Sequence, residues 1–196
     1  MLDAAMTEQN PNSGYLTGQL LVAMPAMSDP RFERSVIYIC AHSEDGAMGL
    51  VINRELDSIT FPDLLEQIGI ETTPPENAIR ILFGGPVEQS RGFVLHSADY
   101  KLDGPLEVDG GIALTASIDI LKAIAEGDGP AQRLLALGYA GWGPGQLEGE
   151  IQQNGWLHAP ADHDLIFGLE LETRWNESLA RIGISPSALS GQAGHA

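Results

Sequence analysis

Short runs of apolar residues, each closed by turn-forming residues, are the main pattern of the first half of the chain. They are rich in Val, Ile and Leu and have the length of strands. The polar segment 42–46, which contains Asp45 and Gly46, has the composition of a hairpin turn between two of them. The pattern predicts strands at 18–24, 35–41, 48–53, 79–83, 92–96, 112–114 and 134–140.

Four segments carry helical signals. Thr60, Pro62 and Asp63 suit the start of a helix, because Thr caps, Pro fits the first turn and Asp favours the positive end of the dipole. A helix at 117–126 is ended by Gly127, and a third follows at 146–153. A fourth is expected at 170–181, where apolar residues recur at helical spacing.

Strands in groups, with helices inserted irregularly, favour the α+β class over strict βαβ alternation. We therefore predict a single compact domain with a largely antiparallel sheet flanked by helices. Its 23 glycines and 12 prolines agree with many short elements. The domain is expected to span 15–189, with flexible tails at 1–14 and 190–196.

The net charge of the chain limits the classes of molecule that it is expected to bind. The chain has 27 acidic residues against 10 basic ones, a formal net charge of −17. Because nucleic acids and anionic membranes gain affinity from Lys and Arg, both are disfavoured as partners. A protein or a small molecule is expected instead, and the oligomeric state stays open.

The cysteine content and the distribution of apolar residues indicate where in the cell the protein is expected. The single Cys40 cannot form an internal disulfide, and burial as a small hydrophobe is favoured over a reactive thiol. The first residues lack the apolar stretch of a secretory signal, and no segment has the length of a membrane span. A cytoplasmic protein is expected.

The glycine-rich segment 138–150 is the most unusual candidate for function. Trp142 lies within it, and Gln146 and Glu150 then form one polar ridge with Asn154 at helical spacing. Gly149 inside that helix suggests that something packs tightly against it. The alternatives are a binding loop, or a buried tryptophan beneath an ordinary solvated helix face.

Two further segments could bind anions. Gly84 and Gly85 follow a predicted strand, and exposed glycine amides can hold an anion, although Pro86 removes one donor and a structural turn is the favoured alternative. Arg34 and Arg31 stand out in a chain poor in cations. They could bind an anionic ligand, or pair with some of the many carboxylates.

Histidines give weaker signals. His96 ends an apolar strand near Ser97 and Asp99, but triads are defined by geometry rather than adjacency, and a structural histidine is favoured. The segment from His158 to Asp164 contains four residues able to bind metal, without the spacing of a known metal motif. We assign no catalytic residue, no metal and no cofactor.

Five segments together resemble the YqgE/AlgH family, and they occur in the family's order over roughly 15–184. The resemblance implies a bacterial cytosolic protein with a compact α+β fold around an antiparallel sheet. The family has no established reaction or cofactor, and one member is described as a transcriptional regulator of exopolysaccharide production. The segments are Gly18 to Pro25, Phe32 to Val36, Gly46 to Asn53, Gly84 to Val87, and Gly141 to Glu148.

Two functional hypotheses follow. The first is a non-catalytic binding or regulatory protein that uses the loop around Trp142 with Gln146 and Glu150, joined by Gly84 and Gly85; any effect on transcription would pass through a protein partner. The second is a hydrolase-like or other small-molecule enzyme, with a cleft in which His96 acts with Glu150 or Ser35. No catalytic motif is complete, so the first is favoured.

Overall fold

The computed structural model describes residues 14–75, 79–100 and 106–190. The predicted tails at 1–14 and 190–196 lie outside the described residues, except for Gly14 and Ser190. Within the described part, no helix is both long enough and apolar enough to cross a bilayer.

A sheet of nine strands forms the centre of the molecule. Eight strands follow one another in the order β6-β7-β5-β8-β3-β2-β1-β9, each antiparallel to its neighbours. The ninth, β4, pairs with β8 in parallel. The strands are β1 (Leu20–Ala23), β2 (Val36–Ser43), β3 (Gly46–Val51), β4 (Ile81–Phe83), β5 (Val87–Ser97), β6 (Leu106–Asp109), β7 (Ile112–Thr115), β8 (Arg133–Trp142) and β9 (Trp156–Ala159).

Helices occupy both faces of this sheet, and the predicted α+β class with a largely antiparallel sheet is confirmed. A five-residue π turn at Asp164–Gly168 and a short 3-10 turn at Leu171–Thr173 precede the fourth helix. The helices are α1 (Phe61–Gln67), α2 (Ile118–Ala125), α3 (Gln146–Gln152), α4 (Arg174–Arg181) and α5 (Pro186–Ser190).

The predicted caps explain where two helices begin and end. Thr60 Oγ1 accepts a hydrogen bond from the Asp63 N–H, and the Asp63 carboxylate accepts one from the Thr60 N–H, which closes a capping box. The Thr60 hydroxyl and N–H also lower the pKa of Asp63. Gly127, with φ of 85°, follows α2 in the left-handed conformation that favours glycine.

Alternate residues of the central strands enter cores on opposite faces. On β1, Leu20 and Val22 belong to the same buried core as the C-terminal residues Trp175 and Leu179, whereas Leu21 belongs to the core on the other side. On that second face, α1 and α2 cover one part of the sheet, and Leu147 of α3 covers the other. Burial on both faces explains why these strands are nearly continuous apolar runs.

The sheet depends on a close approach of glycines at β8. The chain passes from β4 to β5 through Gly84 and Gly85, which lie against Gly138 and Tyr139. A Cβ built on Gly85 would lie 2.0 Å from the Tyr139 carbonyl carbon, and one on Gly138 would lie 2.3 Å from the Gly85 oxygen. Glycine is therefore required by space as well as by φ, which is 155° at Gly85 and 76° at Gly138.

The Gly85→Ala substitution should lower the free energy of unfolding by more than about 3 kcal/mol, because backbone atoms rather than a mobile side chain block the new methyl group. Urea denaturation measures the loss. Gly69→Ala is the control, since Gly69 also has a positive φ, 77°, but no atom within 4 Å of its Cβ position. It should cost only about 1 kcal/mol. Equal losses in the two variants would contradict the steric explanation.

Candidate functional site

One carboxylate holds two tryptophans together. Glu150 Oε2 accepts hydrogen bonds from the indole N–H groups of both Trp142 and Trp156, each at 2.9 Å. Its other oxygen, Oε1, accepts from the Gln146 side-chain amide at 3.1 Å. The Gln146 side-chain oxygen in turn accepts from the Gly143 N–H at 3.0 Å. Hydrogen bonds to an ionised acceptor are stronger than neutral ones, so this network fixes both rings.

Three consecutive elements bring these groups together. Trp142 is the last residue of β8, Glu150 lies on α3, and Trp156 is the first residue of β9. The turn into α3 ends at Gly145, whose φ of 73° few other residues adopt easily. The two indole rings meet edge to face, with centroids 6.2 Å apart and planes at 81°, a favoured geometry for aromatic pairs.

The tryptophan pair forms the floor of a groove of about 650 Å³. The opposite wall is the segment 24–32, where Phe32 meets Trp156 edge to face with ring centroids 5.7 Å apart. The only ion pair on that wall joins Arg31 to Asp29 at 2.7 Å. We call this the tryptophan groove; its lining includes Met24, Met27, Phe32, Pro86, Val87, Trp142, Gln146, Glu150 and Trp156.

A second cleft, of about 780 Å³, continues from the groove along the sheet. The two share Val87, Gly141 and Trp142. Val87 is one of two large hydrophobic residues that the described chain exposes, with 36% of its surface accessible. Apolar side chains of five strands line the cleft beyond it, among them Met48, Phe93 and Tyr139. The groove and this extension meet at the three shared residues, and both are lined by polar as well as apolar side chains.

His42 anchors the start of the domain beside this surface. Its Nδ1 accepts a hydrogen bond from the Leu16 N–H at 3.0 Å, which leaves Nε2 as the donor to Glu148 at 2.7 Å. The pKa of Glu148 is lowered, first by its own backbone N–H and then by His42. Sequence reasoning assigned His42 to a polar turn and missed this role, because its partner is 106 residues away.

Of the predicted site residues, the structure brings together Trp142, Gln146 and Glu150. His96 lies elsewhere: it is 1% exposed, donates from Nδ1 to the Ser97 carbonyl and accepts from Thr115 at Nε2, both at 2.8 Å. The Ser97 hydroxyl donates to Asp99, and this bond is the main cause of the lowered pKa of Asp99. No hydrogen bond within the described residues joins His96 to Glu150 or to Ser35, whose own hydroxyl has no partner.

Gly84, Gly85 and Arg34 also lie outside the groove. The Gly84 N–H donates to the Leu137 carbonyl at 2.8 Å, and the Gly84 carbonyl accepts from Val51, so this peptide joins β8 to β3. Both glycines are buried, and they serve the close approach described above. Arg34 stacks on Trp175, with its guanidinium carbon 5.0 Å from the ring centroid.

Three of the four possible metal ligands near the C-terminus make separate contacts. His158 contacts Gln19, and His163 contacts Gln132 and the Gly110 carbonyl. Asp162 accepts from the Leu165 N–H and pairs with Arg181. Across the part of the chain that the structure describes, no three His, Cys, Asp or Glu residues are grouped as metal ligands.

Two expectations about single residues have different outcomes. Cys40 is 2% exposed, and burial raises its pKa to about 12, so the thiol is a buried hydrophobe as expected. The expectation that something packs tightly against Gly149 is wrong, because no atom lies within 4 Å of its Cβ position. Glycine at this helix position is left unexplained by packing.

A cavity of about 1080 Å³, larger than the tryptophan groove, lies elsewhere in the molecule. It lies along α1 and is lined by residues between Glu55 and Ile81. It contains none of the predicted site residues, and its lining shows no charged network like that of Glu150. We therefore centre the candidate site on the tryptophan groove.

Comparison with known proteins identifies the family of the chain and agrees with the fold. The family model described as AlgH-like matches residues 20–187. A UPF0301 protein of Rhodospirillum rubrum is 56% identical over 185 residues, which cover 94% of this chain and 96% of that protein. Another, from Methylobacterium sp., is 56% identical over 194 residues, covering 94% of this chain and 91% of its own length.

Two solved structures share the architecture. The solution structure of AlgH from Pseudomonas aeruginosa has a TM-score of 0.76 and 44% identity, with both chains covered completely. A crystal structure of a protein from Corynebacterium diphtheriae has a TM-score of 0.67 at 22% identity, covering 89% of this chain and 91% of that one, and supports the fold alone. The chain belongs to the AlgH-like family, as the sequence resemblance indicated.

The Glu150→Gln substitution tests the carboxylate that joins the two indoles. The amide oxygen can still accept from both indoles, but the new NH2 group then faces the Gln146 side-chain NH2, and the negative charge that strengthens these bonds is lost, so the free energy of unfolding should fall by about 1–3 kcal/mol. Urea denaturation gives the loss. The indole N–H resonances of Trp142 and Trp156 should move, whereas that of Trp175, bonded to the Ala23 carbonyl, should not.

Glu66→Gln on the exposed side of α1 is the matched control and should change stability by less than about 0.5 kcal/mol. If Glu150→Gln unfolds at the same urea concentration as this control, the carboxylate does not hold the tryptophan pair.

Gly149→Ala should raise the free energy of unfolding by about 0.5–1 kcal/mol, because alanine favours the helix interior and its methyl group meets open space. Thermal denaturation measures the gain. Gly145→Ala, also in open space but with φ of 73°, should lower the stability instead. A stability loss from Gly149→Ala would restore the idea that a close neighbour requires glycine there.

Proposed function

We propose that the protein is a non-catalytic binding or regulatory module, and that the tryptophan groove with its extension past Val87 is its recognition surface. The observation that carries this proposal is the pair of indoles fixed by Glu150 beneath a wall of methionine and phenylalanine. Rigid aromatic residues and adaptable methionines are common at the centres of protein interfaces.

The charge of the surface favours a protein segment as the occupant. On the groove wall Arg31 is neutralised by Asp29, which leaves the Glu150 carboxylate and the overall charge of −17. Because this surface is negatively charged, a neutral or basic protein segment with apolar side chains is expected to bind it more tightly than an acidic segment. Any regulatory effect on transcription would then pass through a protein partner in the cytoplasm rather than through direct contact with DNA.

The distribution of arginines supports the same proposal. Arg91 pairs with Glu88, and Arg181 pairs with Asp162 and Glu177. Arg174 is 3% exposed, and burial lowers its pKa to about 10 while its guanidinium donates to the carbonyls of Ile52 and Leu169. Cations engaged in this way are poorly suited to release counterions from a duplex.

The enzyme alternative draws no support from the contacts of its residues. Both ring nitrogens of His96 are occupied by Ser97 and Thr115, and the Glu150 carboxylate accepts from Trp142, Trp156 and Gln146. A general base needs to reach its substrate's proton within a hydrogen bond or one bridging water. We therefore keep the binding proposal alone.

Two capped heptapeptides with the same apolar residues test the proposal, one carrying three lysines and the other three glutamates. Titration of the lysine peptide should produce saturable shifts of the indole N–H resonances of Trp142 and Trp156. Trp175, which lies outside the groove, is the internal reference. Val87→Ser should weaken binding by up to about tenfold, because it removes apolar contact area at the point where the groove meets its extension.

Ile118→Ser is the matched control, since Ile118 on α2 is the other exposed large hydrophobic residue of the described chain and lines neither cleft. It should leave the affinity unchanged. Equal effects of the two serine variants, equal binding of the glutamate peptide, or no shift of either groove indole would refute the proposed surface.

A further inference from the structure

Arg34 has no carboxylate partner in a chain with an excess of acids. Its exposed guanidinium lies over the nearly buried ring of Trp175, and no ion pair joins it to any acidic residue within the described ranges. Arg31, three residues earlier, is held by both oxygens of Asp29. The two arginines of one loop therefore differ, and only Arg34 keeps the edge of its guanidinium free for a ligand.

The backbone at Arg34 is held in an uncommon conformation. Its φ is 54°, in the left-handed region that side chains other than those of glycine, asparagine and aspartate seldom adopt. Asn53 fixes it there: its side-chain amide donates to the Arg34 carbonyl, and its oxygen accepts from the Val36 N–H, both at 2.8 Å. Strain of this kind is concentrated at functional sites.

A second guanidinium lines the same small cavity. Arg54 donates to the carbonyls of Arg31 and Glu33, which fixes its position, and these two bonds leave N–H groups unused. The cavity measures about 260 Å³, and Asn53 and Asn176 contribute amide groups to it. Arg34 and Arg54 thus bring two positive charges to the lining of this cavity, and both would attract a bound anion.

We infer that this cavity, between Arg34, Arg54 and Trp175, binds a small carboxylate. The planar fork of a guanidinium matches the two oxygens of a carboxylate, and a ring on one face of Arg34 orients that fork. The volume corresponds to on the order of eight water molecules, enough for one small anion and its remaining hydration. Glu33 and Glu172 also line the cavity, so a singly charged ligand is favoured over a phosphate dianion.

Sodium acetate is the probe, titrated into the full chain at constant ionic strength with sodium chloride as the reference. The side-chain N–H resonances of Arg34 and Arg54 and the indole N–H of Trp175 should shift and saturate in the millimolar range. Arg34→Gln should weaken acetate binding at least about tenfold, and Glu172→Gln should strengthen it about threefold by removing a like charge. Arg31→Gln is the control and should bind as the parent does.

Arg34→Gly removes the guanidinium and the backbone strain together, so it keeps the test decisive if Arg34→Gln fails to fold.

Two further probes distinguish a carboxylate on a protein segment from a free small carboxylate. Tighter binding of a capped tripeptide with one central glutamate assigns it to a protein segment, and tighter binding of acetate assigns it to a free small molecule. The inference is overturned if shifts do not saturate, if chloride reproduces them, if Arg31→Gln acts like Arg34→Gln, or if only inorganic phosphate binds.

Discussion

Three strands, β3, β4 and β5, pair with β8. This arrangement depends on the close backbone contact between Gly85 and Gly138. Because no side chain separates these residues, the chain can leave parallel β4 and return as antiparallel β5 on the other side of the same strand. The later part of β8 is then free to pair with β3, which joins the two halves of the sheet. Trp142 ends that strand, so the position of the candidate site follows from the same contact.

Much of this fold could be predicted because its elements carry local signals. The strands at 35–41 and 134–140 are apolar on both faces, and the capping box at Thr60 involves residues three apart. The missed elements lack such signals. β9 has four residues, one of them His158, and the π turn and 3-10 turn divide the segment before α4 because tertiary packing there overrides helical periodicity.

The candidate site was predictable only where its residues are close in sequence. Trp142, Gln146 and Glu150 share one turn and one helix, so their spacing placed them together. Nothing in the spacing indicated that Glu150 would accept from Trp156, or that Phe32 would form the facing wall. These partners meet through the pairing of β1 with both β2 and β9, a long-range arrangement that a single sequence does not encode in any local pattern.

The segment from Asp29 to Arg34 contributes residues to two cavities, the tryptophan groove and the small cavity beside Arg34. Phe32 lines the tryptophan groove, and Arg34 lines the small cavity beside Arg54 and Trp175. Arg54 donates to the carbonyls of Arg31 and Glu33, the neighbours of Phe32 in sequence. A ligand in either cavity that displaced this segment would alter the wall of the other cavity. Thermodynamic linkage then requires each ligand to change the affinity of the other by the same factor, although the two cavities differ in chemistry.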